Sequence, residues 1–145
     1  MFGCAAGLDR VATIRRIWCT RTLGARRSVE ADEEAQEHER QAALNQAVRR
    51  EVNERRLGGG EDAEVEFVCE CSDPACEELV SLTIGECEFI RRVPTRLVVR
   101  PGHVNHENER VIMEEPGRFA VVEKFGPAGD VVAHLDPRSE GRNRR

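Results

Sequence analysis

The feature that most constrains this chain is a change of period at Gly58-Gly59-Gly60. From Val29 to Leu57 there is no Gly or Pro, and Ala, Glu, Gln and Arg dominate, which is a helix by propensity. Ser28 stands at its N-cap position and the three glycines end it. Beyond Gly60, Glu64-Val65-Glu66-Phe67-Val68-Cys69 alternates, as a half-buried strand does, with Val65, Phe67 and Cys69 inward. The predicted fold class is therefore α+β: a small antiparallel β-hairpin domain with short helices, preceded by one long N-terminal helix.

The helix carries a thin apolar stripe of Leu44, Ala47, Val48 and Val52 at spacings of three and four. Such a stripe either docks on the following domain or pairs with a second copy, which would give a homodimer through the N-terminal helix. Docking is favoured, because the stripe is too short for a sustained heptad.

Downstream, Leu79–Leu82 reads as a second strand, closing a hairpin around the polar loop Cys71–Cys76. Thr83 and Glu86 have the spacing of a capping box, which predicts a short helix through Arg92 that Pro94 stops. Arg96–Arg100 is a further strand, broken at Pro101-Gly102 with His103 on the turn. Residues 104–110 are polar and carry no periodic signal. Val111-Ile112-Met113 and Phe119–Lys124 flank Pro116-Gly117 as a hairpin, and Gly129–Leu135 is a last short helix before Pro137. The organisation expected is a disordered or mis-called extension over 1–28, a helix and Gly linker over 29–60, an α+β domain over 61–137, and a basic tail over 138–145.

Charge follows the same segments. The net charge of −5 divides into +5 over residues 1–28, −6 over 29–64, −7 over 65–137 and +3 over 138–145. An acidic body lacks the basic face that specific nucleic-acid binding requires. No run approaches the length of apolar residues that a transmembrane helix needs, so no membrane partner is expected. The 21 Arg against a single Lys, Lys124, fit codon usage in a GC-rich genome better than a demand for arginine chemistry.

Six cysteines would suggest a disulfide framework in a secreted protein. Met1–Leu8 is apolar but short, has no charged stretch ahead of it and runs into Arg10, Arg15 and Arg16, unlike a secretory signal. The thiols are therefore expected to stay reduced. Three of them lie within eight residues, Cys69, Cys71 and Cys76. Strand alternation places Cys69 and Cys71 on one face, and Pro74 stiffens the return to Cys76. Three thiolates gathered by one loop suit tetrahedral zinc, which takes four N or S ligands; iron–sulfur chemistry is the lesser option. His103, on its Pro-Gly turn, is the first choice for the fourth ligand, with Cys87 and His106 as alternatives.

Size supports a metal. The body from Val65 to Leu135 is about 70 residues, a range in which an unaided core is marginal. It has no Tyr or Trp, and its aromatic payload is Phe67, Phe89, Phe119 and Phe125. Other candidates are weaker. Glu77-Glu78 and Glu114-Glu115 are adjacent pairs that solvation explains, and His134 with Asp136 reads as a helix-end surface. There is no phosphate loop, nucleophile elbow or zinc-protease histidine pair. The expected function is a metal-stabilised interaction or regulatory module with an unknown protein partner, leaning away from an enzyme. The alternative is a redox-responsive thiol protein using Cys71 and Cys76.

The segments Phe67-Val68-Cys69-Glu70-Cys71 to Cys76, Leu82-Thr83, Pro94-Thr95-Arg96, Pro101-Gly102-His103, Glu109-Arg110-Val111 and Phe119–Lys124 together resemble a family of small uncharacterised actinobacterial proteins. Arg50–Arg55 is similar to that family's leading helix, and the likeness runs from about Asn45 to Arg138. It implies a bacterial, cytoplasmic protein and brings no activity with it. Cys87 stands where the family pattern has Tyr, and Val104-Asn105-His106 also departs, which favours His103 over both alternatives.

Overall fold

The computed structural model describes residues 10–139, with side chains from residue 26 onward. The chain divides into two compact units at Glu37–His38, and the second contains the sheets. The elements are α1 (Arg10–Glu54), β1 (Glu64–Val68), β2 (Leu79–Thr83), α2 (Ile84–Ile90), β3 (Arg96–Val99), β4 (Glu109–Glu115), β5 (Phe119–Lys124) and α3 (Gly126–His134). This is the mixed helix-and-strand class the sequence implied, one long helix followed by antiparallel sheets. The helix expected over Val29–Leu57 runs instead from Arg10 to Glu54. Expectations for residues 1–9 and 140–145 lie outside the described residues.

β1 and β2 form a two-stranded antiparallel sheet in which Phe67 faces Val80 in register. The second sheet has the order β3-β5-β4, also antiparallel, with a bulge in β4 between Val111 and Met113. Central β5 is buried on both faces, so it reads as a nearly continuous apolar run. Leu97, Val99, Ala120 and Val122 face Ala43, Ala128 and Val132 together with Cys69 and Cys71. Val98, Phe119 and Val121 face the other way, toward Phe67, Val80, Leu82, Cys87 and Ile90. One sheet thus separates two small cores, and the cysteine loop belongs to the first.

Local signals place α2 well. Thr83 accepts from the Glu86 amide at 3.2 Å while the Glu86 carboxylate accepts from the Thr83 amide at 2.8 Å, a complete capping box. α3 begins at Gly126, three residues earlier than expected, with Pro127 in its first turn. Gly129 is required there by contact: a Cβ at that position would lie 2.6 Å from the Lys124 carbonyl oxygen. Two expected core aromatics are not core, since Phe89 and Phe125 are 54% and 46% exposed.

The stripe on α1 differs most from expectation. Val48 and Val52 are 62% and 40% exposed, while Ala43, Gln46, Ala47, Arg50 and Asn53 are buried at the helical repeat. The docking face is largely polar because, apart from Ala43 against the sheet-face core, it meets backbone carbonyls. Asn53 donates to Val68 O and accepts from Val68 N, both at 2.8 Å, so one amide side chain pairs with the open edge of β1 as a strand would. Arg56 donates to Glu66 O at 2.8 Å, Gln46 to Glu70 O at 3.0 Å, and Arg50 to the carbonyls of Val93 and Pro94. Buried and part-buried carbonyls need donors, and an apolar stripe would have left those of Val68, Glu70, Val93 and Pro94 unpaired.

The polar stretch 104–110 holds a second buried knot. Lys124, the only lysine, is fully buried and donates to Glu109 at 3.0 Å and Asn108 at 3.1 Å. Gln46 reaches the same Glu109 carboxylate at 2.7 Å, which ties α1 to β4 and β5.

Candidate metal centre

The chain leaves β1 at Val68 and changes partners. Cys69 N still bonds Glu78 O, opposite the β2 side of the hairpin, whereas Glu70 N bonds Val98 O on β3. Strand alternation continues through this crossing, so Cys69 and Cys71 project into the first core and Glu70 projects the other way. Asp73 then makes the turn: its Oδ1 accepts from Ala75 N at 2.9 Å and its carbonyl from Cys76 N at 3.2 Å, which brings Cys76 back. His103 arrives from β3 on a turn closed by its amide to Arg100 O at 3.0 Å. Gly102 sits in that turn at φ +89°, a conformation favouring glycine, behind Pro101.

Cys69, Cys71, Cys76 and His103 come together, their ligand atoms all within 4.8 Å of one another. His103 Nδ1 lies 3.6 Å from Cys69 Sγ and 3.5 Å from Cys76 Sγ. With Zn–S near 2.3 Å and Zn–N near 2.0–2.1 Å, ideal tetrahedral angles require an S···N separation of about 3.6 Å. The spacing of His103 from these two sulfurs is compatible with a metal site. Donors face two of the sulfurs: Arg100 N–H points at Cys69 Sγ from 3.2 Å, and Arg49 Nη1 at Cys71 Sγ from 3.6 Å.

The thiols do not behave alike. Hydrogen bonding from Cys69 holds Cys71 far below the ordinary thiol range, at about 4, and the same contact together with burial drives Cys69 upward. Burial also pushes Cys76 up. The three thiols are therefore inequivalent, and Cys71 is the one whose thiolate its neighbours favour. A cavity of about 250 Å³, lined by Cys71, Ser72, Asp73, Gly102, His103 and Val104, opens beside it and offers an ion an entry path.

Neither alternative fourth ligand joins the group. Cys87 is buried in the second core, where burial pushes its thiol up to about 11, and His106 is exposed. All four described cysteines are free thiols. Glu77, Glu78, Glu114 and Glu115 are exposed, and His134 is exposed while Asp136 is buried.

Two residues that hold the site have no signal in the sequence. Glu70, between the first two cysteines, is fully buried and binds Val98 N at 2.9 Å, Asn53 at 2.9 Å and Arg91. Burial opposes its charge, but Arg91 prevails and keeps its carboxyl below the usual carboxylate range. Arg49 spans the cysteine loop from α1, donating to five of its carbonyls. A Glu between two cysteines and an Arg on a helix look like solvated charges until the fold surrounds them.

The chain matches no family model, no curated protein and no solved structure. Among the described residues, no helix is long and apolar enough to cross a membrane.

Proposed function

We propose that Cys69, Cys71, Cys76 and His103 bind one zinc ion as a structural site, and that the chain is a metal-stabilised interaction or regulatory module, not an enzyme. The observation that carries this is the 3.5–3.6 Å spacing of His103 Nδ1 from two sulfurs, which suits tetrahedral zinc. Four protein ligands close the shell and leave no position for an activated water, so hydrolytic chemistry has no place in this reading. The bacterial, cytoplasmic setting implied by the family resemblance fits it, since reduced thiols are a condition of metal binding. A protein partner, or a second copy met through α1, belongs to the same proposal.

Native mass spectrometry with and without a chelator tests it. The expected result is one zinc per chain, lost on chelation together with part of the folding stability. Less than about a tenth of an equivalent in a fully folded protein overturns it.

A second reading rests on the free thiols of Cys71 and Cys76, whose sulfurs lie within 4.8 Å of each other. Peroxide would oxidise this pair to a disulfide, two thiols and one peroxide giving one disulfide and two waters. Peptide mapping after mild peroxide would then show a loss of two hydrogens across Cys71–Cys76, and an unchanged mass counts against it.

A further inference from the structure

Among the described side chains of α1, Arg49 is the one whose donations span the candidate metal loop from Cys69 to Cys76. Its Nη1 donates to Cys69 O at 3.2 Å and Cys71 O at 3.1 Å. Its Nη2 donates to Asp73 O at 2.8 Å, Pro74 O at 3.2 Å and Cys76 O at 3.0 Å. These carbonyls belong to the three cysteine ligands and the turn between them, so the socket has its shape only when the loop is gathered. Asp73, Pro74 and Ala75 are exposed, and within the loop the curve is held by bonds to Asp73 from Ala75 N, Cys76 N and the Cys71 thiol.

Beside the small buried Ala43 and Ala47, the rest of the α1 docking face is polar as well. Gln46, Arg50 and Asn53 act through hydrogen bonds to fixed carbonyls, and the exposed Val48 and Val52 add little burial. Bonds of this kind contribute little net stability when well made and cost much when the acceptors move. A face built this way depends on the geometry of what it docks against, far more than an apolar face would.

We infer that metal occupancy and the docking of α1 are linked through Arg49, so that this chain senses the metal and the helix from about Ala43 to Glu54 is its output. The inference rests on the proposed zinc site and adds regulation to it. Zinc gathers Cys69, Cys71 and Cys76, the gathered loop presents its five carbonyls, and Arg49 locks the helix onto them. Linkage is reciprocal: whatever partner pulls α1 away weakens zinc binding by the same factor that zinc strengthens docking. Three thiolates with one divalent ion carry a net negative charge, which the Arg49 guanidinium also offsets.

Amide hydrogen exchange on the full chain tests this, with zinc content followed in parallel by native mass. In the wild type, chelation is expected to speed exchange over residues 43–54 by about tenfold or more, beyond any change in β3 and β5. Arg49→Ala is expected to keep one zinc, with affinity about tenfold weaker, and to exchange fast over 43–54 whether or not zinc is bound. Arg49→Lys, which presents one nitrogen in place of the fork, should fall between them. A wild type that holds one zinc yet shows the same helix exchange after stripping overturns the linkage. So does an Arg49→Ala protein whose zinc-loaded helix stays protected, even if stripping unfolds the whole domain. Absence of zinc by mass marks the failure of the metal reading itself, and the sensor falls with it.

Discussion

Glu70 and Arg91 form an ion pair whose side chains are 0% and 1% exposed, with Arg91 Nη1 donating to Glu70 Oε2 at 3.2 Å and Nη2 to Oε1. The pair joins the crossing strand of the cysteine loop to the end of α2. Glu70→Gln removes the buried partner of Arg91 and leaves it only the more distant Glu54 carboxylate at 3.9 Å, and a loss of about 3–5 kcal/mol is expected. Urea denaturation measures it, and the double variant Glu70→Gln/Arg91→Met should lose less than the sum of the two single losses. Additive losses would mean that the two side chains act independently.

Substitution of the cluster should separate ligands from bystanders. Cys69→Ser, Cys71→Ser, Cys76→Ser and His103→Ala are each expected to reduce zinc content well below one equivalent and to remove the stability difference between zinc-loaded and chelated protein. Cys87→Ser and His106→Ala should hold zinc as the wild type does, because neither side chain joins the cluster. Metal analysis of the six purified variants decides it.

The Glu86–Arg118 pair gives a pH signature outside the metal site. Arg118 donates to both Glu86 oxygens, at 3.0 and 2.9 Å, and this holds the Glu86 carboxyl below its ordinary value. A carboxylate lowered on folding stabilises the native state above its unfolded value of about 4.3, and that contribution fades as pH falls through the lower folded value. Stability measured from about pH 6 down to about pH 3 should decline, and Glu86→Gln should flatten part of the decline. The capping box at the start of α2 should persist in this variant, since Gln at that position accepts from the Thr83 amide as Glu does.

Gly129 meets the Lys124 backbone closely enough that no side chain fits without movement. Gly129→Ala would place its Cβ 2.6 Å from the Lys124 carbonyl oxygen, and shifting α3 away from β5 should cost about 1–3 kcal/mol. A thermal or urea midpoint equal to the wild type would show that α3 yields freely.

Local chemistry carried much of the fold into the sequence. The Thr83–Glu86 capping box, the Pro116-Gly117 hairpin, the alternation through Phe67 and Cys69 and the gathering of three cysteines were all legible, because each depends on residues within a few positions of one another. His103 was legible as well, through the turn that Pro101 and Gly102 impose. The sequence by itself determined the element types and the composition of the cysteine cluster. The tertiary structure alone decided which face of α1 docks, what Arg49 and Glu70 bind, and that Phe89 and Phe125 face solvent while Lys124 is buried. The reason is physical: an apolar stripe predicts docking on a side-chain surface, whereas α1, beyond Ala43, docks chiefly on backbone. The carbonyls of Val68, Glu70, Val93 and Pro94 that call for its polar residues converge only once both sheets have formed.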